Sequence, residues 1–334
     1  MSVRAQPPRW QPWRAAMAEA LYGAGGFYRR ERPAAHFRTS VHASRLFADA
    51  VRRLADLVDE SLGRPDSFDV VDVGAGGAGL LRALLATGVP DRWRLTAVEV
   101  AEPPAELPDR VRWRGEPPSA TGLVVANEWL DTVPVDVVEQ TADGPRLVLV
   151  DPASGTERLG PHPCADDEEW LARWWPLTRP GDRAEVGRGR DAAWASTVER
   201  VRRGLAVAID YGHRREARPP FGTLAAYRAG AQVPPVPDGS CDVTAHVALD
   251  AAAAAGEAAG AASTVLTTQR EALRALGVRA ERPPLALARR DPRAYLLALQ
   301  TAGEVAELTD PAGLGGFGWL VQPVGMAVPP CPAP

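Results

Sequence analysis

The sequence predicts an α/β fold built on a doubly wound, largely parallel sheet, with a helical extension before its first strand. Three observations lead there. The run Phe68 to Val73 is apolar and β-branched apart from Asp69 and Asp72, as a parallel strand covered on both faces should be. A glycine turn, Gly74-Ala75-Gly76-Gly77-Ala78-Gly79, joins that strand to Leu80-Leu81-Arg82-Ala83-Leu84-Leu85, which opens a helix. A second apolar strand, Trp93 to Val98, follows and closes on Glu99.

The elements follow in order. Trp13, Met17, Ala20 and Leu21 recur at helical spacing within residues 11–23, and Gly23 stops that helix. Ser40 is placed to cap a helix from Val41 to Ser61, with Leu46, Val51, Leu54, Leu57 and Val58 along one side. Strand and helix then alternate. Leu123 to Ala126 reads as a further strand with Asn127 at its end, and Val135–Gln140 with Arg146–Val150 reads as a hairpin around Asp143-Gly144. Helices are expected over Asp166–Trp175 and from Asp191 to Arg203, before a buried strand, Leu205 to Ile209, ending at Asp210. Ala251 to Ala262 is almost wholly Ala and Gly, so composition leaves a thin-faced helix and a mobile segment both open. Thr268–Leu276 should be a helix stopped by Gly277, Pro292–Gln300 another, and Phe317–Gln322 a last strand. The expected division is a helical cap over 1–65 and a core over 66–334, with insertions around 152–200 and 213–262.

Composition narrows the function classes. The net charge of −4 gives no basic field of the kind nucleic acid attracts. Cys164, Cys241 and Cys331 are far apart and lack metal-ligand spacing, so a reducing compartment and no metal are expected. No secretory leader and no membrane span is readable, which points to the cytoplasm.

Three strand ends carry the polar residues: Asp72 to Gly79, Asn127 to Pro134, and Asp210 to His213. Ligands of open α/β sheets sit beyond such ends. Gly74, Gly76 and Gly79 fit G-x-G-x-x-G, and Glu99 lies about 20 residues on, where a ribose-binding acid stands. That geometry serves NAD and S-adenosylmethionine alike, and two of the glycines could simply form a tight turn. Glu128 and Asp131 are three apart; on one helical turn they would face the same way and orient a cationic nucleophile. The plainer reading is a solvated turn with Asn127 as a cap. His213 suits either a base or a surface loop, and His246 either the site or the packing.

These segments together resemble the MidA family of S-adenosylmethionine-dependent methyltransferases, which includes the mitochondrial complex I assembly-factor arginine methyltransferase. The resemblance rests on Met17 to Tyr22 with Gly26-Phe27-Tyr28, Phe37-Arg38-Thr39-Ser40, Asp72 to Gly79, and Asn127-Glu128-Trp129-Leu130-Asp131-Thr132-Val133-Pro134-Val135. It continues through Asp210-Tyr211-Gly212-His213, Gly222-Thr223-Leu224, Tyr227-Arg228, Asp242-Val243-Thr244-Ala245-His246-Val247, Thr268-Gln269-Arg270 and Gly318 to Gln322. Asp72 stands where the family usually has Glu, and Gly79 where Thr is common. The resemblance implies a class I, Rossmann-like methyltransferase sheet with S-adenosyl-L-methionine as cofactor. The implied acceptor is a protein arginine; a small-molecule acceptor or a non-catalytic assembly factor is the alternative, and a homodimer is allowed. Asp72, Gly74, Gly76 and Gly79 would then shape the methionine end of the pocket, Glu99 would take the ribose, and Asn127 would border the cofactor. Asn127, Glu128, Asp131 and His213 would face the substrate. A guanidinium, with a pKa above about 12, offers a poor lone pair unless carboxylates localise its charge.

Overall fold

The computed structural model describes residues 9–30 and 40–329. Phe37, Arg38 and Thr39 of the resemblance, and Cys331, lie outside the described residues. The chain forms two compact units. One takes the described residues before 31 with Leu130–Trp194 and Gly212–Ala255; the other takes residues 40–129, Ala195–Tyr211 and the chain from Gly256 on.

The second unit is the sheet unit. Its strands are β1 (Phe68–Val73), β2 (Trp93–Val98), β3 (Val111–Arg114), β4 (Ala120–Asn127), β5 (Val201–Asp210), β6 (Val265–Thr268) and β7 (Gly318–Val324). They lie in the order β3-β2-β1-β4-β5-β7-β6. The first five run parallel, while β7 runs antiparallel to both β5 and β6. All six residues of β1 are buried, as its β-branched run requires. Asp69 is reconciled with that burial by a paired contact from Arg94 Nε (2.8 Å) and Nη2 (3.0 Å), with the Thr121 amide at 2.8 Å. At the amino ends of β1, β4 and β5 the backbones crowd. A Cβ at Gly122 would stand 2.1 Å from the Asp69 carbonyl, and one at Gly204 would stand 1.9 Å from that of Gly122.

Helix α1 (Arg45–Ser61) belongs to this unit, so its core begins well before position 66. Its apolar face sets Phe47, Val51, Leu54 and Val58 into one cluster with Val70, Leu81, Leu95 and Trp319. Each such side chain contributes about 1.5–3 kcal/mol on burial, which binds the helix to the sheet. The expected start at Ser40 is corrected too. A short helix, Ser40–Ala43, comes first; Ser44, in extended conformation, then caps α1 by accepting from the Leu46 amide at 3.1 Å. Helix α2 (Gly79–Ala86) follows the glycine turn.

The other unit opens with the helix Trp13–Tyr22, whose Trp13, Met17 and Leu21 pack with Val137, Val148 and Val150. The expected hairpin is present as Asp136–Thr141 and Gly144–Val150, with Thr141 opposite Gly144. It sits in its own five-stranded sheet. The alanine-rich stretch is helical over Leu249–Ala258, with Ala251, Ala252 and Ala253 buried, because small side chains let that face approach its neighbours closely. No helix among the described residues is long and apolar enough to cross a membrane.

Candidate active site

The strand order reverses between β1 and β4, and the crevice of an open α/β sheet opens at the carboxyl ends of such a pair. Within the sheet unit this places the glycine turn beside Asn127, Glu128 and Trp129. Gly74 and Gly76 have φ of +72° and +52°, and Ala78 joins them at +61°. Three left-handed residues in five turn the chain from β1 into α2 without a side-chain cap. The amides at the amino end of α2 therefore lack a side-chain acceptor and suit a polar or anionic group.

Glu99 fixes this turn. Its Oε2 accepts from the Gly76 amide at 2.9 Å, while Oε1 accepts from Val100 at 2.7 Å and Ala101 at 3.3 Å. A carboxylate has about four lone-pair positions, so acceptor capacity remains for hydroxyl donors. Asp72, 4% exposed at the end of β1, is pushed up to about 8 by burial and then by the charge of Glu99. It is therefore largely protonated at neutral pH, and a positive charge set beside it would favour its ionised form. Gly74 has a different reason from the one the sequence offers. A Cβ there would lie 2.7 Å from Trp129 Cδ1, so its missing side chain makes room for that indole.

Asn127 ends β4. Its Nδ2 donates to Glu128 Oε1 at 3.1 Å, while its Oδ1 is buried and accepts no hydrogen bond among the described residues. Glu128 adopts φ of +53°, with its amide donating to the Ile209 carbonyl at 2.8 Å. A non-glycine residue in this region is strained and persists only when its surroundings hold it. The short 3-10 turn begins after it, at Leu130. Glu128 and Asp131 therefore do not share one helical face, and the expected pairing by helical spacing is corrected.

Asp131 and His213 belong to the other unit. Asp131 is 3% exposed, and its carbonyl accepts from Arg190 Nη2 (2.5 Å) and the Ala245 amide (3.1 Å). Arg190 was not singled out in the sequence, yet it organises this region. Only 2% exposed, it also donates to the carbonyls of Val133 (3.1 Å), Ala245 (2.9 Å) and His246 (2.9 Å). It thus ties the D-T-V-P segment to the T-A-H segment. Its signal in the sequence was slight: one arginine among three in Arg188-Gly189-Arg190 and its surroundings. Glu185 plays a similar part for Gly222-Thr223-Leu224, accepting from the Thr223 and Leu224 amides at 2.8 and 3.1 Å. Tyr28 likewise donates to Asp242 at 2.8 Å, so this aromatic is an anchor.

His213 is buried against Trp175, with ring centroids 4.4 Å apart. Its Nδ1 accepts from Arg218 Nη1 at 2.6 Å, which leaves the proton of the neutral ring on Nε2. Burial, then Arg218, lower it to about 3. The expectation of a base at His213 is corrected: at neutral pH the ring has no lone pair to offer. His246 is lowered in the same direction by burial, then by Arg190.

The residues of the crevice fit S-adenosyl-L-methionine. Glu99 retains acceptor capacity, Asn127 Oδ1 awaits a donor, and Asp72 would welcome positive charge; the cofactor brings hydroxyls, an ammonium group and a sulfonium. Residues 55–267 match the model of a family described as S-adenosyl-L-methionine-dependent methyltransferases. The chain is similar to a Burkholderia thailandensis protein crystallised with S-adenosyl-homocysteine bound: 28% identity, 95% of this chain and 89% of that one covered, TM-score 0.77. It is also similar to a native structure of an uncharacterised protein from the same organism, at 29% identity, 95% and 88% coverage and TM-score 0.76. No curated protein matches the chain in sequence.

Proposed function

We propose, for a chain that belongs to this family of S-adenosyl-L-methionine-dependent methyltransferases, that the methyl group passes to an arginine side chain of a protein. The cofactor, when bound, supplies an electrophilic methyl on a sulfonium. The work left to the protein is to orient the acceptor in line and keep water out. Glu99 would receive the ribose hydroxyls, the turn from Gly74 to Gly79 with Asp72 would border the methionine end, and Asn127 Oδ1 would accept from the ammonium group.

Glu128 carries the acceptor reading. Its carboxylate stands next to the switch point on a backbone held in the left-handed region, a cost that a solvated turn would have no reason to keep. A guanidinium gripped there by charge-assisted hydrogen bonds would have its charge drawn towards the carboxylate and its nucleophilic nitrogen directed at the methyl. Asp131, locked by its own carbonyl and buried, supports the turn in this account rather than gripping the substrate. The arginine acceptor is also what the resemblance to the MidA family implies.

Incubation with tritiated cofactor and a cell lysate tests this. Label is expected on protein, as methylarginine after acid hydrolysis, and Glu128→Gln should lower it by roughly a hundredfold, the scale of misplacing a nucleophile, with cofactor binding kept. Label confined to small molecules, or transfer untouched by the substitution, would contradict the reading.

A further inference from the structure

Gln269 is fully buried at the first turn of the helix Gln269–Ala275. That helix has a firm start: Thr268 accepts from the Glu271 amide, and the Glu271 carboxylate accepts from that of Thr268. A buried primary amide is costly unless both ends are satisfied. Here Nε2 donates to the Leu308 carbonyl at 3.1 Å, and Oε1 accepts from Ser40 Oγ, also at 3.1 Å. The main-chain amide of Gln269 donates to Phe317 at 2.7 Å, so the residue cannot shift without breaking several bonds together.

Ser40 is itself fully buried, and its main-chain amide donates to Glu128 Oε1 at 3.2 Å. The same oxygen accepts from Asn127 Nδ2 at 3.1 Å. Leu308, Gln269, Ser40 and Glu128 thus form one hydrogen-bonded line, which ends on the carboxylate assigned to the acceptor. The hydroxyl of Ser40 is committed to Gln269, and that bond fixes the amide that faces Glu128.

We propose that Gln269, acting through Ser40, is a positioning residue that sets the Glu128 carboxylate for methyl transfer. The inference rests on the reading of Glu128 given above. Neither Gln269 nor Ser40 needs to touch the substrate. What they fix is the direction of Glu128 Oε1, and with it the set of the whole carboxylate.

The test is the initial rate of tritium transfer to lysate protein at saturating cofactor, for Ser40→Ala, Ser40→Thr, Gln269→Leu and Glu128→Gln, with cofactor affinity measured by calorimetry. Ser40→Ala and Gln269→Leu should each slow transfer by roughly tenfold or more without weakening the cofactor, and Ser40→Thr, which keeps the hydroxyl, should restore the rate. Ser40→Ala added to Glu128→Gln should cost nothing further, because residues acting through one another are not additive. A merely structural role would give losses that add, and that outcome overturns the proposal. If Gln269→Leu fails to fold, Ser40→Ala and its threonine counterpart decide the matter alone. If Glu128→Gln transfers normally, the acceptor reading falls; if it fails while both relay variants are normal, only the positioning role falls.

Discussion

Asp72 shows how a single buried acid can report on the crevice. Its folded-state pKa of about 8 lies above the unfolded value of 3.8. Between these values the folded protein holds a proton that the unfolded chain has released, so this group's contribution to stability falls as pH rises. The contribution is complete below about pH 4 and is lost as pH passes 8. Asp72→Asn removes the titration. Denaturation midpoints of the variant, measured from pH 5 to pH 9, should decline less than those of the wild type, and parallel curves would show that Asp72 ionises freely. His213 has the opposite sign: with a folded value near 3 against 6.5, its contribution is present above pH 6.5 and disappears under acid. The sequence could place both residues at strand ends. It could not reveal that one is held protonated and the other neutral, since each state depends first on burial in the folded protein and then on a charged neighbour, Glu99 or Arg218.

Elements read from pattern alone fared unevenly, and the reasons are physical. β1, β2, β5 and β7 are long runs of β-branched and apolar residues, and they lie within a few residues of where the sequence puts them. β3 is not legible in the pattern because Val111-Arg112-Trp113-Arg114 is four residues long with two exposed arginines, the signature of a charged edge strand. The helix from Pro292 runs to Leu308, past the expected Gln300, since nothing in Thr301 to Glu307 breaks it apart from the tolerated Gly303. Arg190 matters at this scale, because one guanidinium joins two segments that each lie 55 or more residues from it, on opposite sides along the chain. Replacing it with Leu leaves the carbonyls of Asp131, Val133, Ala245 and His246 short of donors. Destabilisation of about 3–5 kcal/mol is expected from that loss of buried partners, read as a lowered denaturation midpoint followed by tryptophan fluorescence. A change under ~1 kcal/mol would show that water replaces the clamp without difficulty.

At the scale of the whole molecule, the strand order explains how the residues proposed to meet the cofactor come together from separate segments. Asp72 with Gly76, Glu99 and Asn127 stand on three separate segments, yet β2, β1 and β4 are neighbours and their carboxyl ends lie together. Alternation of strand and helix made that much legible in advance. The grouping of Leu130–Trp194 and Gly212–Ala255 with the described residues before 31 was not legible, because two of its boundaries fall inside the helices Arg188–Glu199 and Leu249–Ala258, where no linker composition marks them. Calorimetric titration with S-adenosyl-homocysteine tests the central claim, that the adenosyl nucleoside binds beyond the carboxyl ends of β1 and β4. The wild type should bind, Glu99→Ala should lose at least tenfold in affinity while keeping its melting temperature within a few degrees, and Glu128→Gln should bind normally. Unchanged binding in Glu99→Ala, or none in the wild type, would contradict the account.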